Sequence, residues 1–234
     1  MSEWQAKRFW KEVTVVETED GHGIELDGRP VKTPTKAPVA VPSAALAQAI
    51  AREWDAVEDV IDPVRMPMTR AANSAIDKVS VQFDEVADML ADYAGSDLLC
   101  YRAEAPEELC ERQRVEWDPL LDWAEETYGA RLRLGQGIMP VAQDDDALHR
   151  LRRAAHDQTV FQLTALHDLV TITGSLVLGL AISRGHLKAD RAFDLSRLDE
   201  DWQIEQWGAD DEAVAVAAIK RQQLEQAALL YSMV

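Results

Sequence analysis

The sequence predicts an α+β protein in two parts. Three observations carry this. β-Branched runs and turn dipeptides are confined to residues 7–41, and four prolines (Pro30, Pro34, Pro38, Pro42) punctuate that region. From about residue 82 onward, apolar residues recur at helical spacing almost throughout. We expect a small N-terminal domain with an antiparallel sheet over residues 1–80, followed by a larger all-helical domain, an orthogonal bundle, over residues 81–234.

Taken in order, Val13, Val15 and Val16 form a β-branched run, and Gly21-His22-Gly23 is read as a turn after the acids Glu19 and Asp20. Ile24-Glu25-Leu26 alternates, and Asp27-Gly28 is a two-residue hairpin signal. Val31 and Val39-Ala40-Val41 suggest further short strands. Ser43 suits the N-cap of a helix carrying Leu46, Ala49, Ile50, Trp54 and Val57. Pro63 and Pro67 break the chain, and Thr69 is placed to cap the next helix, with Ala72, Ile76 and Val79. A helix with Val81, Val86, Met89, Leu90 and Tyr93 ends near Gly95. A longer one after Pro106 runs to Gly129, with Pro119 as an expected kink. Residues 130–143 read as a loop or short extended piece, and Asp144-Asp145-Asp146 opens a helix in a place that suits the helix dipole.

Leu169 to Ile182 is the most apolar run, and at 14 residues it falls short of the roughly 20 needed to span a bilayer. It reads as a buried core helix, so no membrane insertion is expected. The net charge of −18, with 42 acids against 24 bases, argues against nucleic acid and against an anionic membrane surface. A protein partner with a basic face fits better. Cys100 and Cys110 match no zinc or redox spacing, which points to a reducing compartment. The first eight residues carry no apolar signal core and no transit-peptide pattern, so an intracellular location is expected.

No motif for chemistry emerges. The histidines His22, His149, His156, His167 and His186 show no metal-ligand spacing, so neither a metal nor a cofactor is expected. His156-Asp157 and His167-Asp168 would suit a carboxylate-oriented imidazole, and they leave a hydrolase as an alternative reading. There is no nucleophile elbow and no phosphate-cradling glycine loop. We expect no catalytic residues.

The most unusual stretch is Ser196 to Gly208 and its continuation. Seven acids stand between Asp199 and Glu212 with no Lys or Arg among them. As a helix, Leu198, Trp202 and Trp207 fall near one face, with Asp199, Glu200 and Glu205 mainly on the other. Gly208 is placed to end it. The plain reading is an amphipathic helix with a solvated acidic face, and the sharper one is a binding surface. A last helix from about Asp210 carries Val214, Ala217, Ala218, Leu224 and Leu230 at mixed helical spacing.

Several stretches together resemble a known family. They are Lys7-Arg8-Phe9-Trp10-Lys11, the run from Leu26 to Pro34, Glu53-Trp54-Asp55, Met66-Pro67-Met68-Thr69 with Ala75-Ile76-Asp77, the run from Asp97 to Arg102, Trp117-Asp118-Pro119-Leu120-Leu121, and Thr173-Gly174-Ser175-Leu176-Val177. Gln203-Ile204-Glu205-Gln206-Trp207-Gly208 closes the set. In this order they resemble the assembly chaperone of the ATP synthase alpha subunit, also called mitochondrial ATP synthase assembly factor 2. The resemblance implies a non-enzymatic, monomeric chaperone that binds the free alpha subunit of the catalytic head and shields its beta-facing interface. It also implies partner-binding roles for Asp199, Glu200, Glu205, Trp202 and Trp207, and a packing-anchor role for Trp54. A general acidic scaffold for basic proteins is the remaining alternative.

Overall fold

The computed structural model describes residues 7–137 and 139–234, so residues 1–6, which carry most of the targeting expectation, lie outside it. The fold is α+β, with a small antiparallel sheet early and helices after it. The described residues group into two compact units. One comprises residues 7–83 with Val160–Thr164 and Leu229–Val234; the other comprises Asp84–Thr159 with Ala165–Ala228.

In the first unit, β1 (Val13–Thr18) pairs antiparallel with β2 (Gly21–Leu26), which also pairs with β3 (Arg29–Pro30) and β4 (Ala40–Val41). The β2–β3 link is the expected two-residue hairpin. Asp27 and Gly28 take φ of 50° and 74°, the paired positive values of a turn whose twist matches the strands it joins. The Asp27 carboxylate also accepts from the backbone N–H groups of Glu12 (2.9 Å) and Lys11 (3.0 Å), which hold its pKa below the usual carboxylate value. The Gly21-His22-Gly23 turn is not found. The chain reverses at Glu19–Asp20 and these three residues are strand, with Gly21 pressed against the Val41 carbonyl where a Cβ has no room. Val31 stays outside the strands, although its N–H donates to the Ile24 carbonyl (2.8 Å).

Helix α1 (Ala44–Asp55) starts at Ser43, whose hydroxyl accepts from the Leu46 N–H at 3.1 Å. Its apolar side buries Leu46 and Ile50 with Ile24 and Val41. Helix α2 (Pro67–Ser74) begins three residues earlier than a Thr69 cap requires. Glu53 of α1 does the capping. Its carboxylate accepts from the N–H groups of Met68 (2.7 Å) and Thr69 (2.8 Å) and from the Thr69 hydroxyl (2.6 Å). Replacing Glu53 with alanine leaves three donors without their acceptor and should cost roughly 1–3 kcal/mol, read as a lower urea midpoint. One turn of π-helix, Ala75–Val79, continues α2. Trp54, half-buried on α1, packs edge-on against the buried Trp10 with ring centroids 5.2 Å apart.

The second unit is helical apart from a two-residue parallel pairing of β5 (Tyr101–Arg102) with β6 (Gly135–Gln136). Its helices are most of α3 (Phe83–Asp92), α4 (Glu107–Tyr128), α5 (Asp145–His156), most of α6 (Val160–Thr173), α7 (Leu176–Ser183), α8 (Ala189–Ser196), α9 (Leu198–Trp207) and most of α10 (Asp211–Ser232). Helix α4 runs through Pro119 without interruption. Val81, placed on an apolar stripe by the sequence, is exposed, as is Val115 on α4.

The apolar run 169–182 is two helices rather than one. Gly174 has φ of 70°, which a residue with a side chain adopts at a cost, and Ser175 caps α7 by accepting from the Leu178 N–H at 3.0 Å. Asp97 is fully buried at this break. Its two oxygens accept from the N–H groups of Leu99 and Val177, both at 3.1 Å. Among the described residues, no helix is long and apolar enough to cross a membrane.

Candidate partner-binding surface

Helix α9 carries the acids and tryptophans singled out above, and the fold gives them different surroundings. Leu198 is buried, Trp202 and Ile204 are half-buried, and Trp207 is 80% exposed. Trp207 therefore does not share the buried face of Leu198 and Trp202. Gly208, with φ of 91°, ends the helix just beyond it.

Two of the three acids are tied to α4. The Glu205 carboxylate takes a two-pronged pair from Arg112, at 2.8 and 2.9 Å, and the same guanidinium lies 4.8 Å from the Trp202 ring centre. This pairing holds the Glu205 carboxyl below its usual range. Gln113 is fully buried, and its amide oxygen accepts from the Ala103 N–H (2.8 Å). With the oxygen committed, its NH2 group points at Asp199 and donates at 2.7 Å. Glu200 is exposed and takes part in no hydrogen bond or ion pair among the described residues. Asp199 and Glu205 thus seat α9 on α4, while Glu200 faces solvent.

The three acids are separable by experiment. Glu200→Lys should leave the melting temperature within about 1–2 °C of the parent, as an unattached surface charge does. Glu205→Lys sets an ammonium against Arg112 and should lower it measurably. Thermal unfolding of the two variants at low salt checks this.

The stretch beyond α9 carries a feature that sequence reasoning misses. Every residue from Glu205 to Val216 is exposed, and within α10 Val214, Val216 and Ile219 are 49%, 47% and 57% exposed. Apolar spacing alone signals a core helix here, since periodicity cannot tell a covered stripe from an uncovered one.

The two His–Asp pairs named from the sequence have different surroundings in the fold. Among the described residues, His167 Nδ1 bonds its chain neighbour Asp168 (2.8 Å), and the pair is exposed. His156 reaches Asp88 (2.6 Å) rather than Asp157. Burial pushes the Cys100 thiol up to about 12, which keeps it protonated and unreactive near neutral pH. Among the described residues, no cluster of three or more His, Cys, Asp or Glu could hold a metal ion.

The fold has counterparts among known proteins. The family described as ATP12 chaperone protein matches residues 7–125, just over half of the chain. The chain belongs to the ATP12 chaperone family. Among solved structures, Atp12 from Paracoccus denitrificans is 51% identical over 99% of both chains, with a TM-score of 0.96. A variant of that protein with lysine in place of an aspartate fits equally well, also at 0.96, so in that relative one acid-to-lysine reversal leaves the fold intact. A protein from Agrobacterium tumefaciens is 43% identical over 96% of this chain and 84% of its own, at 0.91. Among curated relatives, mitochondrial protein atp12 of Schizosaccharomyces pombe is 29% identical over 220 residues, covering 88% of this chain and 75% of its own. The family is one of ATP synthase assembly chaperones, as the motif resemblance implies.

Proposed function

We propose that this chain binds the free alpha subunit of the F-type ATP synthase catalytic head and shields its beta-facing interface until assembly. The observation that carries this reading is the whole-chain match, at 51% identity and a TM-score of 0.96, to a protein named Atp12. In this reading the chain acts as a cytoplasmic monomer without a cofactor and catalyses no reaction. Glu200 and Trp207 meet the client, while Asp199, Trp202 and Glu205 hold α9 in the position from which they do so. Residues 1–80 and 81–234 form its two domains, and Trp54 anchors the packing of the first.

The test is direct. The purified chain is mixed with alpha subunit prepared without beta, and the mixture is run on a sizing column. The expected result is a soluble one-to-one complex that survives an excess of an unrelated basic protein. Displacement by that protein would favour a general acidic scaffold. Alpha that aggregates equally with and without the chain would refute the chaperone reading.

A further inference from the structure

The first two turns of α10 are exposed almost throughout, with only Ala217 partly covered. Residues Val214, Ala217, Arg221, Leu224 and Ala228 follow one another at steps of three and four, so they form a single stripe along the helix. Over its later part this stripe is covered. Leu224 is fully buried, and Arg221 lies 4.6 Å from the Phe193 ring centre while donating to the Asp194 carboxylate at 2.5 Å. At Val214 the same stripe is 49% exposed. Val216 and Ile219 are turned away from it and are exposed as well. Ala213 to Ile219 is an unbroken run of seven apolar residues. A run of that length left in water has no reason to be apolar unless something covers it.

The charge around it says what kind of surface that is. Asp210, Asp211 and Glu212 directly precede the run, all exposed, and no Lys or Arg occurs between Arg197 and Lys220. A second copy of this chain would bring acid against acid at a net charge of −18 each. We propose that the exposed start of α10, with Trp207 beside it in sequence, is the apolar grip of the chaperone, and that it takes an apolar surface of the client rimmed by Lys or Arg. This rests on the chaperone reading and names the side chains that carry it.

The experiment compares the parent chain with the triple variant Val214→Ser, Val216→Ser, Ile219→Ser, in binding to purified alpha subunit without beta. All three side chains are exposed in the free chain, so the variant should keep its melting temperature. Its affinity for alpha should fall at least about tenfold, as when a few apolar anchors are removed from the middle of an interface. A single change, Ile219→Glu, should weaken binding likewise and guards against a folding defect in the triple variant. Equal affinity of the parent and both variants would overturn the inference while leaving the chaperone reading standing. A parent that does not bind alpha at all would overturn the chaperone reading, and the client assignment with it. A parent that self-associates, with variants that do not, would give this face to a second copy and overturn the inference.

Discussion

Trp117→Ala should cost about 3–5 kcal/mol of stability, the range expected for emptying a large aromatic site in a core. Trp117 is 1% exposed on α4, and its indole N–H donates to the Leu195 carbonyl at 3.0 Å. Arg102 lies 5.3 Å from its ring centre, with its guanidinium paired to Asp118 at 2.8 Å. Truncation removes the ring, leaves the Leu195 carbonyl without its donor and takes away the surface on which Arg102 rests. In a chain of this size each kcal/mol is worth about 2–4 °C, so the melting temperature should fall by roughly 6–20 °C. Trp117→Phe keeps most of the packing and loses only the N–H, so it should recover more than half of the loss. Thermal unfolding of the three proteins side by side settles the ranking.

The second large effect concerns Asp97 and has a pH signature. Burial pushes its pKa up to about 6, against hydrogen bonds from Ser175, Val177, Leu99 and Leu176 that pull it down. The folded state therefore holds this proton more tightly than the unfolded chain, whose value is near 3.8. The stability from that preference is fully present below pH 3.8 and is lost as pH rises through about 6. A difference of that size between the folded and unfolded values corresponds to about 3 kcal/mol. Other carboxylates, such as Asp88 beside His156 and Arg152, are held below their usual value and act with the opposite sign. The comparison with Asp97→Asn isolates the effect. The variant should be less stable than the parent at pH 4, and its deficit should shrink by about 2–3 kcal/mol at pH 7. Urea unfolding at the two pH values measures it. A deficit that widens instead would mean that the four donors outweigh the cost of burying the charge.

What is legible in the sequence is mostly local chemistry. Asp27-Gly28 announces its hairpin because both positions need positive φ. Ser43 and Asp144 announce their helices because each side chain caps a helix within three residues of itself. Glu53 gives no such signal, because its donors lie 15 and 16 residues away and meet it only after folding. The break at Gly174 is hidden inside a run that is apolar on every side, where helical periodicity has no contrast to show.

The candidate surface divides in the same way. The acidic helix and its two tryptophans stand out in composition, but their surroundings depend on α4, some 90 residues earlier. Gln113 and Arg112 turn Asp199 and Glu205 into attachments of α9 and leave Glu200 free. Composition treats the three acids as one group. The start of α10 shows only helical spacing in the sequence, and nothing in that spacing reveals that Val214, Val216 and Ile219 are left uncovered.

If the chain holds the alpha subunit at the surface beta will later occupy, the two cannot share it. A complex of this chain with alpha is purified, beta is titrated in, and the species are separated by size with mass detection. Beta should displace the chain mole for mole, giving alpha–beta assemblies and free chaperone, with no particle containing all three. A stable particle with chaperone, alpha and beta together would contradict this mechanism and would place the chaperone on a surface of alpha that beta does not use.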